Sequence, residues 1–511
     1  MSSETKDATH TEPIYNEDLE HSATHATYLE KESIRSLSEE HRQYLLQRHG
    51  TLELEPIPTS SHADPYNWPS WKKIANLVLV AFHACMSTFT AAAIIPAYEN
   101  IAEDLGISLQ QTSYLTSLQI AIIGGAPLFW RPLSTRYGRR PIFLLSLIGS
   151  LAFNVGCAKT QSYASMAACR AFSAFFICPA SAIGSAVVVE TFFKKDRARF
   201  MGIWTVMITL GVPLAPFLMG FVTTRVGYRW IYYILATING GQFILYLFLG
   251  PETRFLRHGV QHSSPAVKEA YFKFHRIDPT PITALEFIHP LKMAMRPSAI
   301  VPALAYAMIF LFSSVLITVE IPQLFGEKFH FNAQQLGLQF LGIIVGSIIG
   351  EQLGGYTSDL WMKRRIKRHV HGNADPEFRL WISYFGFALA IVGTIIFLVR
   401  IEQAPQLHWN ITPVIGAGIA AAGNQIVTTV LTTYAVDCYP DDAASIGVFI
   451  SFVRQTLGFT GPFWFTPMFE NIGVANSAGL ASALMVAVSV VPTAVVQWRG
   501  RVWRMSQGKS G

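Results

Sequence analysis

The stretch Arg131-Pro-Leu-Ser-Thr-Arg-Tyr-Gly-Arg-Arg140 stands between two long apolar runs, 112–130 and 141–158. It is too short for a domain and holds four arginines. A tight basic connection between apolar runs of about 20 residues reads as a loop on one membrane face, with a spanning helix on either side. Working outward, the same alternation recurs along the chain. It predicts twelve spans, at 74–96, 112–130, 141–158, 164–190, 200–222, 230–250, 299–322, 335–358, 379–400, 412–436, 444–468 and 476–498. The fold class expected is therefore an all-α polytopic membrane protein.

Composition agrees. The 511 residues are 51% hydrophobic and 14% charged, with a mean hydropathy of +0.32. Soluble domains carry about 25% charged residues. The net charge of +6 does not argue for nucleic acid, because the Lys and Arg sit in short loops between spans and not on one soluble face. They are also asymmetric. The loops after the second, fourth and eighth spans hold Arg136, Arg139 and Arg140, then Lys194, Lys195, Arg197 and Arg199, then Lys363 to Arg368, whereas 97–111 has acids and no base. By the positive-inside rule both termini and the long 251–298 connection lie in the cytosol. Cys85, Cys157, Cys169, Cys178 and Cys438 lie in or beside the spans without paired spacing, so neither a disulfide framework nor a metal cluster is expected. The polar amino terminus has no signal-peptide pattern, and the first span is expected to serve as its own insertion signal.

The expected divisions are a disordered cytosolic tail (1–63), a six-helix bundle (64–250), a cytosolic central loop (251–298), a second six-helix bundle (299–498) and a short tail (499–511). Within the first tail, 39–48 has the pattern of a short helix stopped by Gly50; within the loop, 266–276 has that of an amphipathic helix. Two internal matches support a duplicated, pseudo-symmetric pair of bundles. Gly355-Tyr-Thr-Ser-Asp-Leu-Trp-Met-Lys-Arg364 follows the eighth span as the opening stretch follows the second. Thr209-Leu-Gly-Val-Pro-Leu-Ala-Pro-Phe217 in the fifth span parallels Thr456-Leu-Gly-Phe-Thr-Gly-Pro-Phe463 in the eleventh.

On these residues, the chain from about 64 to 500 resembles the major facilitator superfamily, and within it the fungal twelve-span drug:proton antiporters. Leu133-Ser-Thr-Arg-Tyr-Gly-Arg-Arg-Pro141 is similar to the superfamily's motif between spans two and three, carried by Arg136, Gly138, Arg139 and Arg140. Arg170 stands at the family's fourth-span arginine, and Gly211, Pro216 and Gly220 match its antiporter motif. Asp64-Pro-Tyr-Asn-Trp-Pro and Pro251-Glu-Thr-Arg254 look like flanking signatures of the fungal group. There are departures. Arg131 replaces the motif's opening glycine, Thr135 its acid, and Ser173-Ala174 the Gln-Gly pair after the arginine. The lost acid makes the resemblance predict a lopsided latch, carried in the second half by Asp359 with Arg364 and Asp437.

Ionisable groups inside a span cost about 2.5–3.5 kcal/mol each on insertion scales, so each is a functional candidate. His83, Arg170, Glu320 and Glu351 are candidates for proton coupling, a histidine because it titrates near neutrality and a carboxyl because burial can make it hold a proton in one state. The bland readings are a hydrogen-bonded core histidine for His83, snorkelling to headgroups for Arg170, and interfacial exposure for Glu320 near its span's end. Arg454 is expected to pair with Glu351 or to meet substrate. With it, Gln119, Asn239, Gln242, Tyr306, Asn424, Gln425 and Tyr434 are candidates for a substrate cavity, against the alternative of interhelical glue. Gly342, Gly346, Gly350 and Gly354 form a stripe for close helix packing, and Pro213 and Pro216 should bend the fifth span.

No Walker loop, His-Glu-x-x-His or Cys-x-x-Cys occurs, so ATP-driven export and enzyme chemistry are not expected and no cofactor is called for beyond a proton gradient. Asn410-Ile-Thr412 is a glycosylation sequon. The expectation is a monomeric exporter of drugs, xenobiotics or secondary metabolites in the plasma membrane, or alternatively the vacuolar membrane, driven by protons and with no nucleic-acid partner. An uptake permease for a polyamine, vitamin or sugar is the alternative, and a non-transporting sensor a third reading.

Overall fold

A computed structural model describes residues 37–256, 271, 276–368, 375–439 and 442–507, excepting the side chains of 198, 359, 363, 365–368 and 504–507. All regular structure among the described residues is helical, and each predicted run falls, within a residue, on one helical unit except 444–468, whose helix ends at Thr460 and is followed by a 3-10 turn and a separate short helix, Phe465–Ile472. The first six are α1 (Ser70–Leu105), α2 (Leu109–Tyr137), α3 (Arg139–Lys159), α4 (Tyr163–Thr191), α5 (Lys194–Val226) and α6 (Arg229–Leu249). The second six are α7 (Pro297–Phe329), α8 (Ala333–Arg368), α9 (Pro376–Gln403), α10 (Thr412–Cys438), α11 (Ala443–Thr460) and α12 (Val474–Trp503).

Ten of these are long and apolar enough to cross a membrane; the two that are not are α2 and α11. The reason is in their sequences. The first half of α2 carries Gln110, Gln111, Thr112, Ser113, Thr116, Ser117 and Gln119, and α11 has only 18 residues, among them Arg454 and Gln455. Such helices are stable in a bilayer where protein covers their polar faces. That is their position: α2 packs on α11 across the centre of the molecule, and α5 packs on α8 in the same way.

Within each half the packing repeats. Helix α3 lies on α4 and on α6, α2 on α4, and α1 on α5; correspondingly α9 lies on α10 and on α12, α8 on α10, and α7 on α11. This repeated order is the duplicated architecture that the two internal matches anticipate. The glycine stripe of α8 serves the second half alone: Gly342, Gly346, Gly350 and Gly354 lie against Val414, Gly418, Ala422 and Ile426 of α10. Backbone sits against backbone there, so a methyl group at Gly346 would collide with the Gly418 carbonyl.

Several helices change winding. Helix α4 breaks at Cys178-Pro179, α11 passes into a short 3-10 turn at Gly461–Phe463, and α7 runs through a π segment, Leu311–Leu316. Helix α5 is continuous through Pro213 and Pro216.

The amino-terminal tail is a correction. It was expected to be disordered to residue 63, but from residue 37 it is packed against the first half. Its helix, Glu39–His49, is capped by Ser38 and ended by Gly50 at φ +71°, as the sequence pattern implies. Leu45, Leu54, Tyr66 and Phe193 bury one another, and the Tyr66 hydroxyl donates to the Val189 carbonyl of α4. The amphipathic helix expected at 266–276 lies outside the described residues, apart from Tyr271 and Arg276.

Candidate functional site

The two halves meet along α2/α11 and α5/α8, and the antiporter-like motif is built into the second contact. A Cβ on Gly211 would strike Thr88 and Cys85 of α1, so this glycine lets α5 lie on α1. Further along, a Cβ on Gly220 would stand 2.5 Å from the Ala333 carbonyl oxygen of α8, and one on Gly337 would stand 2.7 Å from that of Pro216. Thr224 of α5 then accepts the amide of Gln334 at 3.1 Å. These contacts close α5 against α8 at the end of the bundle away from the basic loops. The same end of α2 is tied to the second half, where Gln110 donates to the Pro462 carbonyl and accepts from Thr466, and Tyr114 stacks on Phe463 at 4.5 Å. Toward the basic loops α5 is looser: 204–210 are half-buried, and Gly202 has open space where a side chain would be.

The charged groups within the helices differ in how they are satisfied. Arg170 is 0% exposed, which removes the snorkelling reading. Its guanidinium donates to the carbonyls of Leu115 (3.3 Å) and Ala91 (3.2 Å) and to Gln119 Oε1 (3.0 Å), and Gln119 returns a bond to the Arg170 carbonyl. Glu320 is also 0% exposed, so the expected interfacial exposure is overturned: α7 runs nine residues past it to Phe329 and buries it. Neither of its oxygens has a hydrogen-bond partner. Tyr98, which donates to Thr116 at 2.7 Å, lies within electrostatic reach of both Arg170 and Glu320, one from each half.

Glu351 is half-buried on α8 and accepts from the Gln425 amide at 3.3 Å, while Asn424 donates to Gln425. The expected Glu351–Arg454 pair is not formed. Arg454 instead donates to the Tyr306 hydroxyl at 2.9 Å and lies 4.6 Å above Phe310. Here α11 faces α7, whereas Glu351 faces α10.

His83, Asn239 and Gln242 belong to another region. The His83 ring is 3.0 Å from the Ser146 hydroxyl, Asn239 donates to Ser150 at 2.9 Å, and Gln242 donates to the Leu79 carbonyl at 2.9 Å. All three join α1, α3 and α6 within the first half, the geometry of interhelical glue. Tyr434 is buried near the basic end of α10, its hydroxyl within 2.9 Å of the space a Gly500 side chain would fill, apart from the Glu351 cluster.

The family model described as Major Facilitator Superfamily matches residues 78–462. The chain belongs to that superfamily. It is similar to the efflux pump FUB11 of Gibberella moniliformis, 26% identical over 86% of this chain and 74% of the relative. It is similar also to the MFS-type transporter atr4 of Stereocaulon alpinum (26%, covering 87% and 81%) and to the efflux pump atB of Aspergillus terreus (26%, covering 75% and 83%). As a major facilitator, the protein is a multi-pass membrane transporter of small molecules.

The superfamily motif at the basic end has acquired its own acids. Gly138 takes φ +97°, and any side chain there would run into Glu252 and Ile277. The buried Glu252 carboxylate accepts the amides of Arg139 and Arg140 (both 2.9 Å) and so caps the amino terminus of α3. Burial pushes this carboxyl above its ordinary value, against the pull of three amide donors, from Arg139, Arg254 and Arg140. Arg136 pairs with Asp278 (3.0 Å) and Glu286 (2.7 Å), Arg139 with Glu190 (2.9 Å), and Arg140 donates to the carbonyls of Tyr246, Leu247 and Gly250. Thr135, where the family has an acid, turns back to the Arg131 carbonyl, and Arg131 itself crosses to Ser445 of α11 at 3.1 Å. In the second half the cation beside Asp437 is Arg379 (3.2 Å), not Arg364, which is exposed; the Asp359 side chain lies outside the described residues.

Asp278 and Glu286 escaped the sequence reading because nothing local marks an acid in the central connection as an ion-pair partner, and Glu190 because an acid in the last turn of α4 reads as an ordinary span end. Glu252 carried a signal, its place in Pro251-Glu-Thr-Arg254 at the end of a span. Gln110, Gln323 and Thr466, which meet at the closed end, look like ordinary polar span ends.

Proposed function

We propose that this major facilitator exports small organic compounds from the cytosol in exchange for protons, by alternating access between its two six-helix halves. The observation that carries the reading is the α5/α8 contact. Pro216 and Gly220, two of the three residues that resemble the antiporter motif, form the place where the halves close at one end, and Gly211 seats the same helix on α1, while α5 stays more loosely packed toward the basic end. A closure built on glycine and bare carbonyls can separate without breaking ion pairs, which suits a contact that must open and shut in each cycle. The efflux pumps among the relatives support the outward direction.

In this reading the termini and the central connection lie in the cytosol, which the positive-inside rule applied to the basic loops supports, and the proposed site of action is the plasma membrane. The closed end then faces outward, and the exposed Asn410 sequon with it. Glu320 and Glu351 are the groups proposed to exchange protons. Glu320 is buried without a partner behind the closed end, where holding a charge is costly, and opening that end would wet it. Glu351 sits half-buried toward the basic end. In this scheme a carboxyl takes a proton when it faces outward and releases it when it faces the cytosol, and substrate moves the other way. The test is a panel of amphipathic compounds in inverted vesicles with an imposed pH gradient. Uptake that rises with the gradient and collapses with a protonophore supports the reading; accumulation only with the gradient reversed supports the permease.

A further inference from the structure

Arg454 presents a charge that the protein does not neutralise. It is eleven residues into α11 (454 − 443), about 16 Å along the axis and near the middle of a hydrocarbon core about 30 Å thick. Its side chain is half-buried, its Nε is buried with no acceptor, and no carboxylate among the described residues forms an ion pair with it. One edge of the guanidinium is held by the Tyr306 hydroxyl at 2.9 Å, and its plane lies 4.6 Å over Phe310. Glu351 gives its contact to Gln425 on α10. Glu320 stands ten residues beyond Phe310 on α7, about 15 Å away along the helix.

An arginine fixed on one edge and over a ring is an oriented donor and not a floating charge. Nη1 is taken by Tyr306 and Nε is covered by protein, so the accessible donor is Nη2, which is neither buried nor hydrogen-bonded and can give a charge-assisted bond to a carboxylate. The surroundings add shape. Phe310 packs against Gly458, where a Cβ would come within 2.9 Å of the ring, and Ile120 of α2 closes in from the other half. Gly124 of α2 lies under Gln455. The π segment of α7 begins at Leu311, immediately after this ring, and single π turns within helices recur at binding sites. The site is thus an arginine, a phenol and a phenyl ring at the seam between the halves.

We propose that Arg454, with Tyr306 and Phe310, recognises the carboxylate of a small aromatic organic acid. The carboxylate meets Nη2, the attached ring lies along Phe310, and Tyr306 keeps the guanidinium in plane. The assignment rests on the transport reading above and names the substrate class of that site. It is tested on the full chain in nanodiscs, with no gradient, by binding of three probes of one shape: 1-naphthoate, neutral 1-naphthylmethanol and cationic 1-naphthylmethylamine. The acid should bind at least tenfold tighter than the other two. Arg454→Gln should abolish that preference by weakening binding of the acid, and Arg454→Lys should restore part of it. Tyr306→Phe, which removes only the tether, should weaken the acid a few-fold and guards against an Arg454 variant that fails to fold. Equal binding of the three probes, or an Arg454→Gln protein that still prefers the acid, overturns the proposal. Because binding is read without a gradient, a transporter that works in the other direction would still show the preference, and failure of the export reading is seen separately in the vesicle flux.

Discussion

The two halves share one packing order but treat buried charge differently. In the first half Arg170 is wholly enclosed, and three acceptors from α1 and α2 take the bonds of its Nε and Nη2, leaving only Nη1 without a partner. In the second half Glu320 is just as enclosed and has no hydrogen-bond partner, and Arg454 has one side-chain bond, a buried Nε without an acceptor and an accessible Nη2. A charge already paired by the protein has little reason to bind an ion or ligand, whereas an unpaired one gains by it. Under the function proposed above, the first half would then serve mainly as framework and the second would carry proton and substrate exchange.

The sharpest way to break this contrast is Glu320→Gln. The amide keeps the shape and cannot exchange a proton, so gradient-driven flux should fall on the order of 100-fold, about 2.8 kcal/mol at 1.4 kcal/mol per decade. Folding, read by thermal denaturation in detergent, should be unchanged or improved. Normal gradient-driven flux by this variant would move proton coupling off Glu320 and leave Glu351 to carry it.

Arg170→Met examines the other side of the comparison. Removing the guanidinium leaves Gln119 Oε1 without its donor in a buried site, at about 1–3 kcal/mol for an orphaned polar group. The expected result is a lower melting temperature with the pH dependence of residual transport preserved. If the melting temperature held and the pH profile shifted instead, Arg170 would belong with the exchanging groups and the contrast between the halves would collapse.

Much of this was legible in the sequence, and the reason is physical. A bilayer forces every backbone bond inside the helix, so hydropathy alone located the runs that become α1 to α12. The candidate charges were legible for the same reason, since Arg170, Glu320, Glu351 and Arg454 interrupt apolar runs. Their partners were not. Whether Glu320 is exposed or buried depends on how far α7 continues and what packs on it, and whether Arg454 meets Glu351 depends on which faces of α8 and α11 turn toward each other. Spacing along one helix says nothing about rotation against another. The polar residues His83, Asn239 and Gln242 illustrate the same limit: the first looked like a proton-coupling candidate and the other two like cavity candidates, and they bind α1, α3 and α6 together.

The seam between the halves allows a finer test. Gly220→Ala adds one methyl group 2.5 Å from a backbone carbonyl of the opposite half, where nothing flexible can yield. It should shift the equilibrium toward the state opened at that end by about tenfold, roughly 1.4 kcal/mol. Cysteine labelling near Thr224 and Gln334 would report this as faster modification. Gly346→Ala is its control. The methyl group there meets α10 of its own half, so it should lower thermal stability without favouring either open state. Equal labelling of the two variants would mean that the α5/α8 contact is not the moving one.

The smallest effect concerns the segment that only the first half carries among the described residues. The Glu39–His49 helix is held down partly by His49, whose ring lies 3.0 Å from Asn67 Oδ1 and edge-on to Phe193 at 5.4 Å. Burial lowers the His49 pKa, and Lys73 and Arg48 add to this, against the Asn67 bond and Asp64. The packed state therefore prefers the neutral ring. Its contribution is full above the unfolded value of about 6.5 and is lost as pH falls through the lower value of the folded segment. Amide exchange across 39–49 should accordingly quicken between pH 7.5 and 5, while α3 and α9 stay protected. His49→Gln keeps a hydrogen-bonding side chain and removes the titration, so its exchange, corrected for intrinsic rates, should be flat over that range. A flat profile in the unaltered protein would show that Leu45, Leu54, Tyr66 and Phe193 hold the segment by themselves, and that the first half is framework there too, with no response to pH.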